Sequence, residues 1–139
     1  VTMELNFRLN MGGEDLVIAI AQDWQTNDVL MVAFMNKEAV EQTLKTKKAH
    51  YYSTSRQKQW LKGESSGNVQ TVKEMYIDCD ADAIIMKVEQ IGAACHEGYR
   101  SCFFRQLDID KENIDIDNLT EDDVKVISER LFDPKEMYG

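Results

Sequence analysis

A chain of 139 residues is long enough for one domain and too short for two of ordinary size. Hydrophobic residues at 43% and charged residues at 29% set it among globular rather than disordered chains, and no apolar run reaches the roughly 18 residues of a membrane helix. The net charge of −9 argues against a polynucleotide track, which an acidic chain would repel.

In chain order, the opening VTMELNFRLNMGGEDL lacks the basic start and apolar core of a secretion signal, so a cytoplasmic protein is expected. The runs LVIAIAQDW (16–24) and VLMVAFMN (29–36) read as buried strands. Asn36 is placed to cap a helix over KEAVEQTLKT, with Val40 and Leu44 on one face. HYYSTS and QWLKGE read as strands on either side of Arg56. NVQTVKEMYIDC alternates, with Met75, Ile77 and Cys79 on one strand face and Tyr76 and Asp78 on the other. AIIMKVEQI and SCFFRQLDI are further strand candidates. Thr120 with Asp123 predicts a capping box opening a helix that bears Val124, Ile127 and Leu131 and ends at Pro134. The expected fold is α+β, strand-rich, with a mainly antiparallel sheet and few helices. Residues 1–107 are expected to form its main part, the candidate catalytic region, and 108–139 an acidic strand and helix segment of the same domain.

Charge is unevenly distributed. Residues 108–136 hold 11 acidic and 4 basic side chains, whereas 42–63 carry Lys45, Lys47, Lys48, Arg56, Lys58 and Lys62 with no acid. That basic stretch runs into KGESSGN, where Gly63 and Gly67 allow backbone N–H groups to converge beside Ser65, Ser66 and Asn68. Arg56, Lys62, Ser66, Gly67 and Asn68 are the candidate phosphate-binding set, with an ordinary polar loop as the plain alternative.

The densest chemistry lies in MYIDCDADAIIMKVEQIGAACHEGYRSC (75–102), which holds all three cysteines and one of two histidines. Asp78, Asp80 and Asp82 alternate, so a continuing strand would project three carboxylates from one face. Such a cluster suits a hard cation, magnesium or calcium; a solvated acidic turn is the alternative. A calcium-binding loop fails at its sixth position, Ala83, where glycine is needed. Cys79, Cys95 and Cys102 match no common zinc-finger spacing and could be buried thiols or zinc ligands. Three thiolates would leave one zinc position for water, the catalytic pattern. On a regular strand Cys79 points away from Asp78 and Asp80, so one compact site would need a turn there or groups from a second chain.

Taken together, DVLMVAFMN, STSRQKQWLKGESSGNVQ, DCDADAI and ACHEGYRSCFFR resemble the phosphoribosyl-AMP cyclohydrolases, over roughly residues 28–105. The resemblance implies hydrolysis of the N1–C6 bond of a phosphoribosylated AMP in histidine biosynthesis by zinc-activated water. It implies magnesium on Asp78, Asp80 and Asp82, and an intertwined homodimer in which Cys79 joins Cys95 and Cys102 of the other copy on zinc. It also implies a monofunctional form. Thr54 stands where the family usually has the first arginine of S-R-S-R.

On this reading His96 is the proton carrier and Arg56 and Lys62 lead the phosphate contacts, while Arg100 or Arg105 could offset the negative charge of three thiolates on zinc. His50, Glu64 and Tyr99 are lesser candidates for site roles. Two other functions are kept as alternatives. One is a zinc-dependent nucleotide deaminase, whose H-x-E and P-C-x-x-C signature is absent here. The other is a structural zinc module that binds a protein partner.

Overall fold

The structure, a computed structural model, describes residues 2–138. In chain order its elements are β1 (Leu9–Met11), β2 (Glu14–Asp23), β3 (Val29–Met35), α1 (Lys37–Thr46), β4 (His50–Ser53), β5 (Lys58–Leu61), β6 (Gln70–Ile77), β7 (Ala83–Gln90), β8 (Arg105–Leu107), β9 (Val124–Val126) and α2 (Pro134–Tyr138). The class is α+β and strand-rich, with a mixed sheet: β2 pairs antiparallel with β1 and β3 but parallel with β7, and β7 pairs antiparallel with β6. With three antiparallel pairs and one parallel pair at its centre, the sheet is mainly antiparallel, as expected. Strands apolar on both faces suit that central place. No helix is long and apolar enough to cross a membrane among the described residues.

Register decides which face becomes core. Val17, Ala19 and Ala21 of β2 stand level with Met35, Ala33 and Met31 of β3, and Ala19 and Ala21 with Ile84 and Met86 of β7. This face is buried under α1, through Ala39 and Val40, and under Tyr51 of β4. Alanines on β2 leave room that the longer Met35 and Met86 fill, as close packing requires. Burying a side chain such as Ile84 contributes about 1.5–3 kcal/mol.

The opposite face is also apolar but open. Ile18 and Ile20 stand level with Phe34 and Val32 on one side and with Ala83 and Ile85 on the other, and Tyr76 of β6 sits beside Ile85. Val32 is 47% exposed and Tyr76 48%.

Local expectations fared unevenly. The Asn36 side chain accepts the Ala39 N–H at 2.9 Å and so caps α1. The helix stops at Lys47, left-handed at φ 62°, whose N–H returns to the Thr43 carbonyl. Its buried face is Ala39, Val40 and Thr43; Leu44, expected with Val40, is 52% exposed.

The helix expected after Thr120 does not form. Asp123 does accept the Thr120 N–H at 2.8 Å and its hydroxyl at 3.1 Å, but Val124–Val126 then extends and pairs with Arg105–Leu107. The β-branched valines favour the strand once a partner is present. Pro134 opens α2 instead of ending a helix, consistent with a residue whose fixed φ and missing N–H suit a first turn. SCFFRQLDI is likewise strand only over Arg105–Leu107.

Candidate active site

The aspartates come together through a turn, which corrects the strand reading. β6 ends at Ile77, and Asp78 Oδ1 then accepts the N–H groups of Asp82 at 3.1 Å and Ala83 at 3.3 Å. Ala81, left-handed at φ 61°, donates its N–H to the Asp78 carbonyl. The fold-back brings a carboxylate oxygen of each of Asp78, Asp80 and Asp82 within 4.8 Å of the others. Asp80 is pushed above the usual carboxyl range, first by its hydrogen bond with Asp82 and then by burial and the charges of Asp78 and Asp82. Asp82 is held below that range, chiefly by the guanidinium of Arg8, which bonds its carboxylate. Arg8 escaped the sequence reading, since nothing local ties it to a residue 74 positions away. Three close carboxylates, one of them held toward its protonated form, fit a hard divalent cation.

The thiol loop follows β7. Cys95 is buried and Cys102 partly so, and Cys102 packs against the cluster that Cys95 forms with Tyr99 and Phe104. Burial, and then the neighbouring Cys95, push the Cys102 thiol up to about 11. Cys95 donates its N–H to the Tyr99 carbonyl at 3.1 Å, and Cys102 to the Leu30 carbonyl at 2.7 Å. Tyr99 stacks on Phe104, ring centroids 3.8 Å apart, and so closes the turn. Arg100 reaches Asp23 at 2.6 Å and Asp28 at 3.3 Å, pinning the loop to the β2–β3 turn. Arg105 lies over the Phe104 ring at 5.0 Å. His96 is exposed on the outside of the loop. Two thiols in contact fit a soft cation such as zinc.

Cys79 is not with them. It is exposed in the aspartate turn, and among the described residues no cluster of three potential ligands includes Cys79, Cys95 or Cys102. The whole of β7 intervenes, seven steps at about 3.3 Å or roughly 23 Å.

The glycine-bracketed loop packs beside the thiol loop. Gly67 donates to the Gly63 carbonyl at 2.8 Å, and Asn68 N–H to the Ser66 hydroxyl at 3.2 Å. The Asn68 side chain lies so close to Gly92 that a Cβ there would stand 2.5 Å from its Oδ1. Lys62 is turned inward: only 6% exposed, it donates from Nζ to the Ala94 carbonyl at 2.6 Å. Burial lowers its pKa, and the charges that Cys102 and Cys95 can carry oppose that shift. Arg56 is exposed in the β4–β5 turn, at the far end of that hairpin from Lys62 and so about 13 Å or more away. His50 bonds Thr46 at 3.0 Å, and burial holds its imidazole below the ordinary range.

One α+β scaffold carries paired thiols, a carboxylate triad and a glycine-bracketed polar loop, groups of the kind hydrolases use. Residues 31–104 match the phosphoribosyl-AMP cyclohydrolase family. The chain is 55% identical to the phosphoribosyl-AMP cyclohydrolase of Methanobrevibacter smithii, over 98% of this chain and 100% of that one. It is 58% identical to that of Methanothermobacter thermautotrophicus, over 100% and 94%, and 51% identical to that of Chloroherpeton thalassium, over 89% and 81%. The chain belongs to the phosphoribosyl-AMP cyclohydrolase family.

Proposed function

We propose that two copies of this chain together build the site at which the purine ring of 1-(5-phosphoribosyl)-AMP is opened, a step of histidine biosynthesis. The observation that carries the two-copy reading is the placement of ligands. Cys79 precedes β7 and Cys95 and Cys102 follow it, roughly 23 Å on, whereas ligands of one zinc stand within about 4–5 Å of each other. A two-fold axis that sets the start of β7 in one copy against its end in the other would unite the three thiols twice over. The open apolar face of Ile18, Ile20, Val32, Phe34, Ile85 and Tyr76 offers a surface for the second copy.

Cys79 of one copy with Cys95 and Cys102 of the other would hold zinc, and Asp78, Asp80 and Asp82 would hold magnesium. Zinc would supply a Lewis acid that makes water nucleophilic near neutral pH, and magnesium a charge to bind substrate oxygens.

The chain's own groups do the rest. Substitution at ring N1 leaves C6 short of electrons. Water oxygen bonds to C6, the C6–N1 bond breaks, N1 takes up one of the water protons, and the other leaves the oxygen as it becomes the carboxamide carbonyl. His96, exposed beside Cys95, accepts the proton from water and returns it to N1. Ser66, Gly67 and Asn68 hold one phosphate beside the thiol loop. Arg56 meets another from the β4–β5 turn.

The test is direct. Protein loaded with zinc and magnesium should convert phosphoribosyl-AMP with a rise in near-ultraviolet absorbance as the carboxamide forms. A fully metallated dimer that leaves the substrate intact would contradict the assignment.

A further inference from the structure

Lys62 is a buried cation without an acid. Among the described residues no carboxylate pairs with it; its ammonium donates to the Ala94 carbonyl at 2.6 Å and lies 5.4 Å from the centroid of the Trp60 ring. Burying an ammonium with only a carbonyl and a ring for company is costly unless a counter-charge is close. The groups able to supply one lie beside that bond: Ala94 adjoins Cys95, and Cys102 packs against the cluster of Cys95, Tyr99 and Phe104. The other cations near the loop are engaged, Arg100 with Asp23 and Asp28, Arg105 over Phe104, and Arg130 with the Glu97 carbonyl and the Tyr99 ring.

We infer that Lys62 is a positioning residue of the metal centre: its fixed positive charge offsets the charge of the Cys95 and Cys102 thiolates while its bond to Ala94 sets the loop that presents them. This rests on the zinc reading above. Three thiolates on a divalent ion sum to −1, and one adjacent ammonium brings the buried assembly to neutrality. The charge balance that sequence neighbours Arg100 and Arg105 were expected to supply thus falls to a residue some thirty positions earlier. Lys62 then serves the thiols and not a substrate phosphate.

Zinc affinity of the purified dimer, read by competition with a chromogenic chelator, tests this on Lys62→Met, Lys62→Gln and Lys62→Arg. The first two keep much of the stem and lose the charge; the third keeps the charge. A variant that does not fold without metal is refolded with zinc and titrated out with chelator, so an affinity is obtained in every case. The expected result is a loss of about 10–100-fold for Met and Gln, the usual effect of removing a group that supports metal ligands, with Arg regaining most of it. Met and Gln variants that hold zinc as tightly as the parent, or an Arg variant as weak as Met, would overturn the inference. A parent dimer that binds no zinc through its cysteines would overturn the zinc reading itself.

Discussion

The guanidinium of Arg8 bonds the carboxylate of Asp82, so a side chain from ahead of the first strand occupies the third carboxylate of the acidic triad. Leu5 and Phe7 pack against the core on either side of that segment, and Asn6 N–H reaches the Ala81 carbonyl at 2.7 Å. The backbone is therefore anchored, and only the half-exposed Arg8 side chain is free to yield.

On the magnesium reading, a divalent cation would compete with Arg8 for Asp82. Arg8→Gln should tighten magnesium binding roughly two- to fivefold, the worth of an exposed ion pair, and should lower the melting temperature of the metal-free protein. Calorimetric titration with magnesium and a thermal melt without it check both halves.

The bond from Arg100 to Asp23 fixes where Cys95 and Cys102 stand. Burial raises the Asp23 carboxyl, but the Thr26 and Gln25 amides and Arg100 outweigh it and hold the carboxyl below the usual range. A depressed folded pKa stabilises the ionised form. The contribution is complete above the unfolded value of about 3.9 and lost as pH falls through the lower folded value. Asp23→Asn should cost about 1–3 kcal/mol at pH 7 and progressively less below pH ~4. Urea unfolding at pH 7 and pH 3 measures the difference.

Gly63 and Gly67, which bracket the polar loop, share a left-handed backbone and differ in surroundings. A Cβ on Gly63, φ +86°, would stand 2.6 Å from the Asn68 carbonyl carbon and the Val69 nitrogen, whereas one on Gly67, φ +79°, meets nothing within 4 Å. In the substrate-free fold Gly67→Ala should therefore cost only backbone strain of about 1–2 kcal/mol, and any rise in KM reports its Cβ against the bound phosphate. Gly63→Ala must also displace the loop, and KM should rise about tenfold or more, since small misplacements of binding groups are expensive. Steady-state kinetics on the pair separates the two effects.

How much of this could be read from the sequence depended on the range of the interactions. The Asn36 cap spans three residues and was legible, as were the apolar runs that became β2, β3 and β7. Thr120 and Asp123 formed the local bonds expected of them, yet pairing with Arg105–Leu107 decided what followed. The aspartates were recognised by spacing, but the physical cause is the turn at Ala81 and not strand alternation. Lys62 facing Ala94 and Arg8 facing Asp82 were hidden because the partners lie 32 and 74 positions apart.

His96 lies outside the buried thiol pair, so its loss should leave the metal in place. His96→Ala is expected to lower kcat by about 10²–10⁴-fold, the range for a positioned acid or base, with zinc per chain unchanged by metal analysis. A variant as active as the parent would move the proton transfer to another group.

On the two-copy reading, each site takes Cys79 from one copy and Cys95 and Cys102 from the other. Cys79→Ser and Cys102→Ser, each inactive alone, are unfolded together and refolded as a mixture. Half of the dimers are then mixed, and each mixed dimer holds one intact site, so about a quarter of the parent activity should return. If one chain carried all three ligands, every chain in the mixture would lack one of them, and no activity would return.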